Sequence, residues 1–353
     1  MNNIFFFALL LGLFGQSCAK SEGKFYRADH KYVTYVGRVD AGQPRFWASG
    51  AYVVINFSGS EFRASINDEN RYGTVLNYLE VQVDDQPAYR IKLGRKTNDL
   101  VLASKLSKGK HRIIICKNTE GENGYIEFVG FNCEALLPPS PLPKRKMEFI
   151  GDSITCGFGA DESDHSCGDK NANWYDQHNA WFAYGPLTAR KLDAQWHLTS
   201  VSGIGLVHSC CEKKILMPEV YDKVNLSENK IDWDFQKYQP DVVTVCLGQN
   251  DGVQDSVKFC GAYVAFAQKL RDHYPKAKLI FLSSPMADAT LKAALVKYIT
   301  AVKQELNRTG EYNLGSYFFS KQSHLGCGSH PSLTEQREIS NELTAYVKQL
   351  MHW

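Results

Sequence analysis

Between Leu136 and Lys144 the chain reads Leu-Leu-Pro-Pro-Ser-Pro-Leu-Pro-Lys, which puts four of its twelve prolines within nine residues. Proline lacks a backbone N–H and holds φ near −65°, so such a stretch fits neither a helix interior nor a central strand. It predicts a stiff connector, residues 136–146, with one unit on either side of it. With 353 residues, 44% of them hydrophobic, the chain has enough apolar material for two ordinary cores.

The hydrophobic period differs on the two sides. In residues 23–135 it is two: Phe62-Arg63-Ala64-Ser65-Ile66 and Leu79-Glu80-Val81-Gln82-Val83-Asp84 place apolar residues on one strand face. Asp84-Asp85-Gln86-Pro87 and Lys108-Gly109-Lys110 supply turns, the second leading into a buried-type strand from Ile113 to Cys116. Short strands between turn signals predict a β-sandwich of the jelly-roll-like kind. In residues 147–353, strands alternate with helices. Strands are expected at Met147 to Ile150, Val242 to Leu247 and Leu279 to Ser283. Helices are expected at Asn179 to Leu192, Val257 to Tyr274, Leu291 to Leu306 and Leu333 to Leu350. Ser332 and Glu335 have capping-box spacing ahead of the last helix. This alternation predicts a parallel sheet flanked by helices, with its site at the carboxyl ends of the strands.

The first residues read as a leader. An eleven-residue apolar run, Ile4 to Phe14, is followed by Gly15-Gln16-Ser17-Cys18-Ala19, so residues 1–18 are expected to be a signal peptide. Cys18 after small residues resembles a bacterial lipoprotein signal. A lipid anchor at Cys18 is therefore the only membrane contact expected, with export to the periplasm, the outer membrane or the medium. Forty basic against 38 acidic residues leave a formal charge of +2, which argues against nucleic acid as a partner. Without Cys18, nine cysteines remain, so at least one is expected to be free. Their spacing matches no metal site, His208-Ser209-Cys210-Cys211 included, since adjacent cysteines ill suit one tetrahedral ion.

Three stretches fall where an open α/β sheet puts its chemistry. In Gly151-Asp152-Ser153 a serine follows the first strand of the second unit at a sharp turn, its hydroxyl open to the cleft and its N–H near a helix start. In Gly248-Gln249-Asn250-Asp251 a polar residue directly follows a hydrophobic strand, and Asn250 can offer its amide. In Gly328-Ser329-His330-Pro331 an extended loop carries a histidine just before the capped helix. A serine is a poor nucleophile at neutral pH without a base in reach, and His330 is the candidate base for Ser153. Taken singly, each stretch also has a structural explanation: a capped turn, an Asx-turn, a loop histidine.

In this order the three blocks resemble those of the SGNH (GDSL-type) hydrolases. Further segments resemble carbohydrate esterase family two, the acetyl-xylan-esterase-like deacetylases with an N-terminal β-sandwich. They are Ala183-Tyr184-Gly185-Pro186-Leu187-Thr188-Ala189-Arg190, Val201-Ser202-Gly203-Ile204-Gly205, Met217-Pro218-Glu219-Val220-Tyr221 and Gln239-Pro240-Asp241-Val242-Val243. The resemblance implies Ser153 as nucleophile and His330 as general base. It implies an oxyanion hole from the N–H of Ser153, the N–H of Gly203 (with Gly205 as the alternative) and the Asn250 side chain. It implies a carbohydrate O-deacetylase acting on acetylated polysaccharide or oligosaccharide through an acyl-enzyme, with neither metal nor organic cofactor. SGNH enzymes usually carry an acid two or three residues before the histidine, where this chain has Cys327 and Gly328. A dyad is therefore expected, with a main-chain carbonyl of one of these two accepting the ring N–H; a distant Asp folding into place is the alternative. Trp174 and Tyr175, in the polar insertion Asp161 to Asn179, are the candidate sugar-stacking residues. The alternatives are an SGNH esterase for another acyl ester, lipid or aryl, and a glycan-binding protein that has lost turnover.

Overall fold

The computed structural model describes residues 23–40 and 42–353; the leader and Cys18 lie outside them. Two antiparallel sheets form the first unit. One runs Lys24–Arg27, Ile126–Cys133, Phe62–Asp68, Thr97–Ala103, with Arg45–Phe46 also paired to Ile126–Cys133. The other runs Ala135–Leu137, Tyr52–Ser58, Lys110–Lys117, Tyr78–Val83, Tyr89–Lys92, with Val33–Val36 also paired to Tyr52–Ser58. Val53, Ile55, Phe57, Ile113 and Ile115 face Phe62, Ile66, Phe128 and Phe131 in a shared core. This is the expected β-sandwich.

The second sheet has no wet face at its centre. The residues between those core positions, Tyr52, Val54, Ile114 and Cys116, are buried against the second unit. Tyr52 stacks on Trp196 with ring centroids 4.1 Å apart, and Trp196 Nε1 donates to the Gly50 carbonyl at 2.9 Å. Burial on both faces is why Ile113 to Cys116 is apolar without alternation. A fully buried side chain of this size contributes roughly 1.5–3 kcal/mol, so the contact holds the two units together strongly. Arg38 crosses the same boundary to pair with Glu148 at 2.9 Å, both side chains fully buried.

The second unit is a five-stranded parallel sheet in the order Ala194–Ser200, Arg145–Gly151, Val242–Cys246, Lys278–Leu282, Leu314–Tyr317. Successive residues alternate between its faces. Val243, Val245, Leu279 and Phe281 pack with helices Ser256–His273 and Ala289–Arg308. Met147, Phe149, Ile280 and Leu282 pack with Tyr184–Lys191 and Leu333–Met351. The capping box of Ser332 and Glu335 is present.

Three features differ from the expected pattern. The strand Ala135–Leu137 extends into the proline-rich segment, and Arg145 already begins the next strand, so the stretch without regular structure is 138–144. The helix expected from Asn179 begins at Tyr184; the segment ahead of it is held against the sandwich, the N–H groups of Ala180 and Trp181 donating to Asn118 at 3.2 and 3.1 Å. Edge strands Ala194–Ser200 and Leu314–Tyr317 carry no periodic signal: the first is buried throughout despite Gln195, His197 and Thr199, and the second has four residues.

Candidate active site

The strand Arg145–Gly151 stops at Asp152, whose carboxylate accepts the N–H of Ile154 at 3.1 Å and caps the one-turn helix Ser153–Cys156. Ser153 is thereby fixed at the carboxyl end of the sheet. The loop bearing His330 docks beside it: Cys327 N–H donates to the Gly159 carbonyl at 2.8 Å. Gly159 is required there, since it lies at φ +64° and a Cβ would overlap the Cys327 carbonyl oxygen. A disulfide from Cys327 to Cys167 ties the same loop to the polar insertion.

Ser153 and His330, 177 positions apart, meet with Oγ and Nε2 at 2.8 Å. The other ring nitrogen, Nδ1, lies 2.9 Å from the carbonyl oxygen of Gly328. A carbonyl only accepts, so Nδ1 carries the proton and Nε2 is left to accept from the serine hydroxyl. Burial pushes the imidazole below its usual value; the carbonyl of Gly328, the charge of Glu120 and the carbonyl of Cys327 act against that shift. The ring is thus kept neutral, the form that can take a proton.

Around this pair stand the groups expected to receive negative charge. Among the described residues, no acceptor stands against the N–H of Ser153 or of Gly203, whereas the Gly205 N–H is taken by Ser209 Oγ at 2.9 Å. This separates the two candidate glycines and leaves Gly203 as the available donor. Gly203 sits at φ +79°, with its carbonyl accepting from the Cys210 N–H at 2.9 Å. Asn250 reaches the site, but both its N–H groups are engaged, with the Ile204 carbonyl at 2.9 Å and Asp152 Oδ2 at 3.2 Å. Asp152 is pushed up to about 7 by burial, with Asp251 and Glu120 adding to the rise, so near neutrality it holds Asn250 only partly as an anion.

Trp174 is 46% exposed on the insertion, and its ring meets His178 edge-on at 5.2 Å. Tyr175 corrects the expectation: it is 1% exposed, and its hydroxyl donates to the Thr74 carbonyl at 3.1 Å while accepting from the Leu76 N–H at 3.2 Å. It docks the insertion on the sandwich and has no free face for a sugar. Phe182 is half-buried and Tyr184 fully buried in the core.

Two carboxylates escaped the sequence reading. Asp251 accepts the N–H groups of Leu206, Val207 and His208 at 2.7–3.0 Å, tying the glycine block to the asparagine block. Its place beside Asn250 was the available signal. Glu120 of the sandwich bonds Ser202, next to Gly203, and nothing local marks it. Glu162, Cys167 and Cys327 come close enough to resemble a metal cluster, but both sulfurs are in the disulfide. Cys210 and Cys211 are likewise joined to each other. Cys116, Cys133, Cys156, Cys246 and Cys260 are free thiols.

The carbohydrate esterase 2 N-terminal family model matches residues 35–141, and the GDSL-like lipase/acylhydrolase family model matches residues 149–323. Cellulase/esterase CelE of Acetivibrio thermocellus is 32% identical over 342 residues, which are 92% of this chain but only 40% of that longer protein. An acetylxylan esterase/glucomannan deacetylase of Cellvibrio japonicus is 29% identical over 339 residues, 92% of this chain and 91% of that one. The structure of a family two carbohydrate esterase from Clostridium thermocellum in complex with cellohexaose is similar at a TM-score of 0.82 and 30% identity, covering 91% of this chain and 99% of that one. One from Cellvibrio japonicus gives 0.84 at 25% identity, covering 94% and 98%.

Proposed function

The chain belongs to carbohydrate esterase family two, and on that footing we propose that it removes acetyl groups from plant-type polysaccharides or oligosaccharides. The observation that carries this reading is the 2.8 Å contact of Ser153 Oγ with His330 Nε2 beside the free N–H groups of Ser153 and Gly203. In the reaction, His330 Nε2 takes the Ser153 proton as Oγ attacks the acetyl carbonyl. Negative charge gathers on the carbonyl oxygen, facing the N–H groups of Ser153 and Gly203 and the amide of Asn250. Collapse expels the sugar hydroxyl, which leaves with the proton held by His330. Water, deprotonated by the same ring, then releases acetate from Ser153. Every proton passes through one imidazole, and no step calls for a metal or organic cofactor. Trp174 offers the exposed face on which a sugar ring stacks.

Two disulfides support export to an oxidising compartment, with residues 1–18 as the leader and Cys18 as the site of a lipid anchor. A second reading, glycan binding without turnover, draws on the relative solved in complex with cellohexaose. Acetate release from acetylated xylan, acetylated glucomannan and an acetylated monosaccharide, with Ser153→Ala as control, tests the first. Faster turnover of long-chain 4-nitrophenyl esters than of any acetylated glycan would redirect the assignment to lipid or aryl esters. Retention of polysaccharide without acetate release would favour binding alone.

A further inference from the structure

The sandwich extends a loop beneath the catalytic pair. After the strand Lys110–Lys117 the chain continues through Asn118 and Thr119 to Glu120, and these four residues are all buried. Lys117 Nζ donates to the carbonyls of Thr119 and Glu120 at 2.7 and 2.9 Å, which closes the loop on itself. Asn118 fastens it to the second unit through Ala180 and Trp181. At its tip, Glu120 Oε2 accepts the N–H of Ser202 at 2.9 Å and Oε1 accepts the Ser202 hydroxyl at 2.7 Å. Oε1 also lies 3.3 Å from His178 Nε2, out of line for a hydrogen bond. The His178 ring meets Phe158 edge-on at 4.4 Å, and Phe158 lies against His330 at 4.5 Å.

We propose that Glu120, a residue of the N-terminal sandwich, is a positioning residue for ester hydrolysis: it sets the Ser202–Gly203 turn that presents one oxyanion donor, and it places a negative charge behind His330. The proposal rests on the reading of Ser153 and His330 as nucleophile and base. Two bonds from one carboxylate to both the N–H and the side chain of Ser202 fix that residue's backbone and rotamer together. The next peptide carries the Gly203 N–H, so its direction is inherited from this clamp. Burying a carboxylate is costly unless its oxygens are satisfied, and here each oxygen has a donor from Ser202.

The second role follows from what surrounds the imidazole. The carbonyls of Gly328 and Cys327 touch or border it, and both are neutral. His178 is pushed down to about 3 by burial and is uncharged near neutrality. Asp152 stands beside Ser153 and is itself pushed up to about 7 by burial. Lys117, whose ammonium bonds the Glu120 carbonyl at 2.9 Å, is pushed down to about 7 by burial, which weakens its opposition, and Lys213, whose side chain lies along Gly203, has its ammonium paired with Glu122. Glu120 therefore supplies from another domain part of the electrostatic support that an acid in the histidine loop would give.

The full chain is compared with Glu120→Gln, Glu120→Asp and Ser202→Ala by melting temperature, kcat, KM and pH profile on 4-nitrophenyl acetate and acetylated xylan. Glu120→Gln keeps the size but loses the charge. Its kcat is expected to fall about 10²-fold with KM within about twofold, the pattern of a misplaced transition-state donor. Its acid limb is expected to move to lower pH. Glu120→Asp keeps the charge but not the reach, so kcat falls while the limb stays. Ser202→Ala removes one of the two bonds, and kcat falls about tenfold with the limb unmoved. A folded Glu120→Gln with kcat within about threefold of wild type and an unmoved limb overturns the proposal. If that variant does not fold, Ser202→Ala decides: a kcat within about twofold of wild type also overturns it. Inactivity of the wild type on every acetyl ester would instead sink the underlying esterase reading, a result distinct from either.

Discussion

His330 turns its Nδ1 onto the carbonyl oxygen of Gly328, 2.9 Å away and two residues earlier in the same loop. The partner is neutral, and burial already holds the imidazole below 6.5. Catalysis needs the ring unprotonated, so activity is lost only as pH falls through this depressed value. The acid limb of kcat/KM on an acetyl ester is therefore expected to have its midpoint below pH 6.5. A midpoint clearly above that would mean that a carboxylate is engaging Nδ1 in solution.

A carboxylate can be supplied at the same place. A Cβ on Gly328 would lie 3.6 Å from His330 Nδ1, with no heavy atom closer than 3.5 Å. Gly328 has φ +61°, a region that aspartate tolerates better than most residues do. Gly328→Asp is expected to move the acid limb up by about one unit, as an opposite charge near a titrating group does. The readout is the pH profile of kcat/KM; an unmoved limb would show that the new carboxylate does not reach the ring.

The three expected oxyanion donors are unequal in their present engagement. Asn250 has both its N–H groups engaged, whereas Gly203 has its N–H free. Asn250→Ala is expected to lower kcat about 10²–10³-fold with little change in KM, the usual cost of one lost donor. Gly203→Ala is expected to be as severe, because a Cβ at φ +79° is strained and would crowd Lys213 and Cys210 Sγ at 3.1 and 3.2 Å. Steady-state kinetics on acetylated xylan, with melting temperatures alongside, separate lost donation from lost folding.

The disulfide between Cys167 and Cys327 closes a separation of 160 residues. Removing it by paired Cys→Ala substitution is expected to cost about 2–4 kcal/mol of stability. The loop keeps its Gly159 bond at 2.8 Å, so kcat is expected to fall less than about tenfold. Thermal unfolding with and without reductant, followed by assay, checks both parts. A loss of turnover as large as that of His330→Ala would mean that the disulfide itself aligns the base.

The two architectures were legible because each depends on local pattern, a period of two and a period of 3.6, and the Ser153–His330 meeting because a serine after an apolar strand and a histidine in the loop before the last helix stand in the order of the SGNH blocks. Gly203 and Gly205 could not be separated by sequence, since the difference is which N–H Ser209 occupies. Tyr175 and Asn179 misled for one reason. Their surroundings are made by the sandwich, through Thr74, Leu76, Glu80 and Asn118, and a contact spanning some 60–100 residues leaves no periodic trace. Glu120 was hidden in the same way.

A sheet that is apolar on both faces also restricts how such a protein can be altered by recombination. Cutting the gene at the prolines would expose Tyr52, Val54 and Ile114 on one fragment and Trp196 on the other, two sticky slabs without their mates. A chimera that borrowed only the hydrolytic half would inherit this defect. Each half is therefore constrained by the other's surface, and a substitution at Tyr52 or Trp196 calls for a matching one across the boundary.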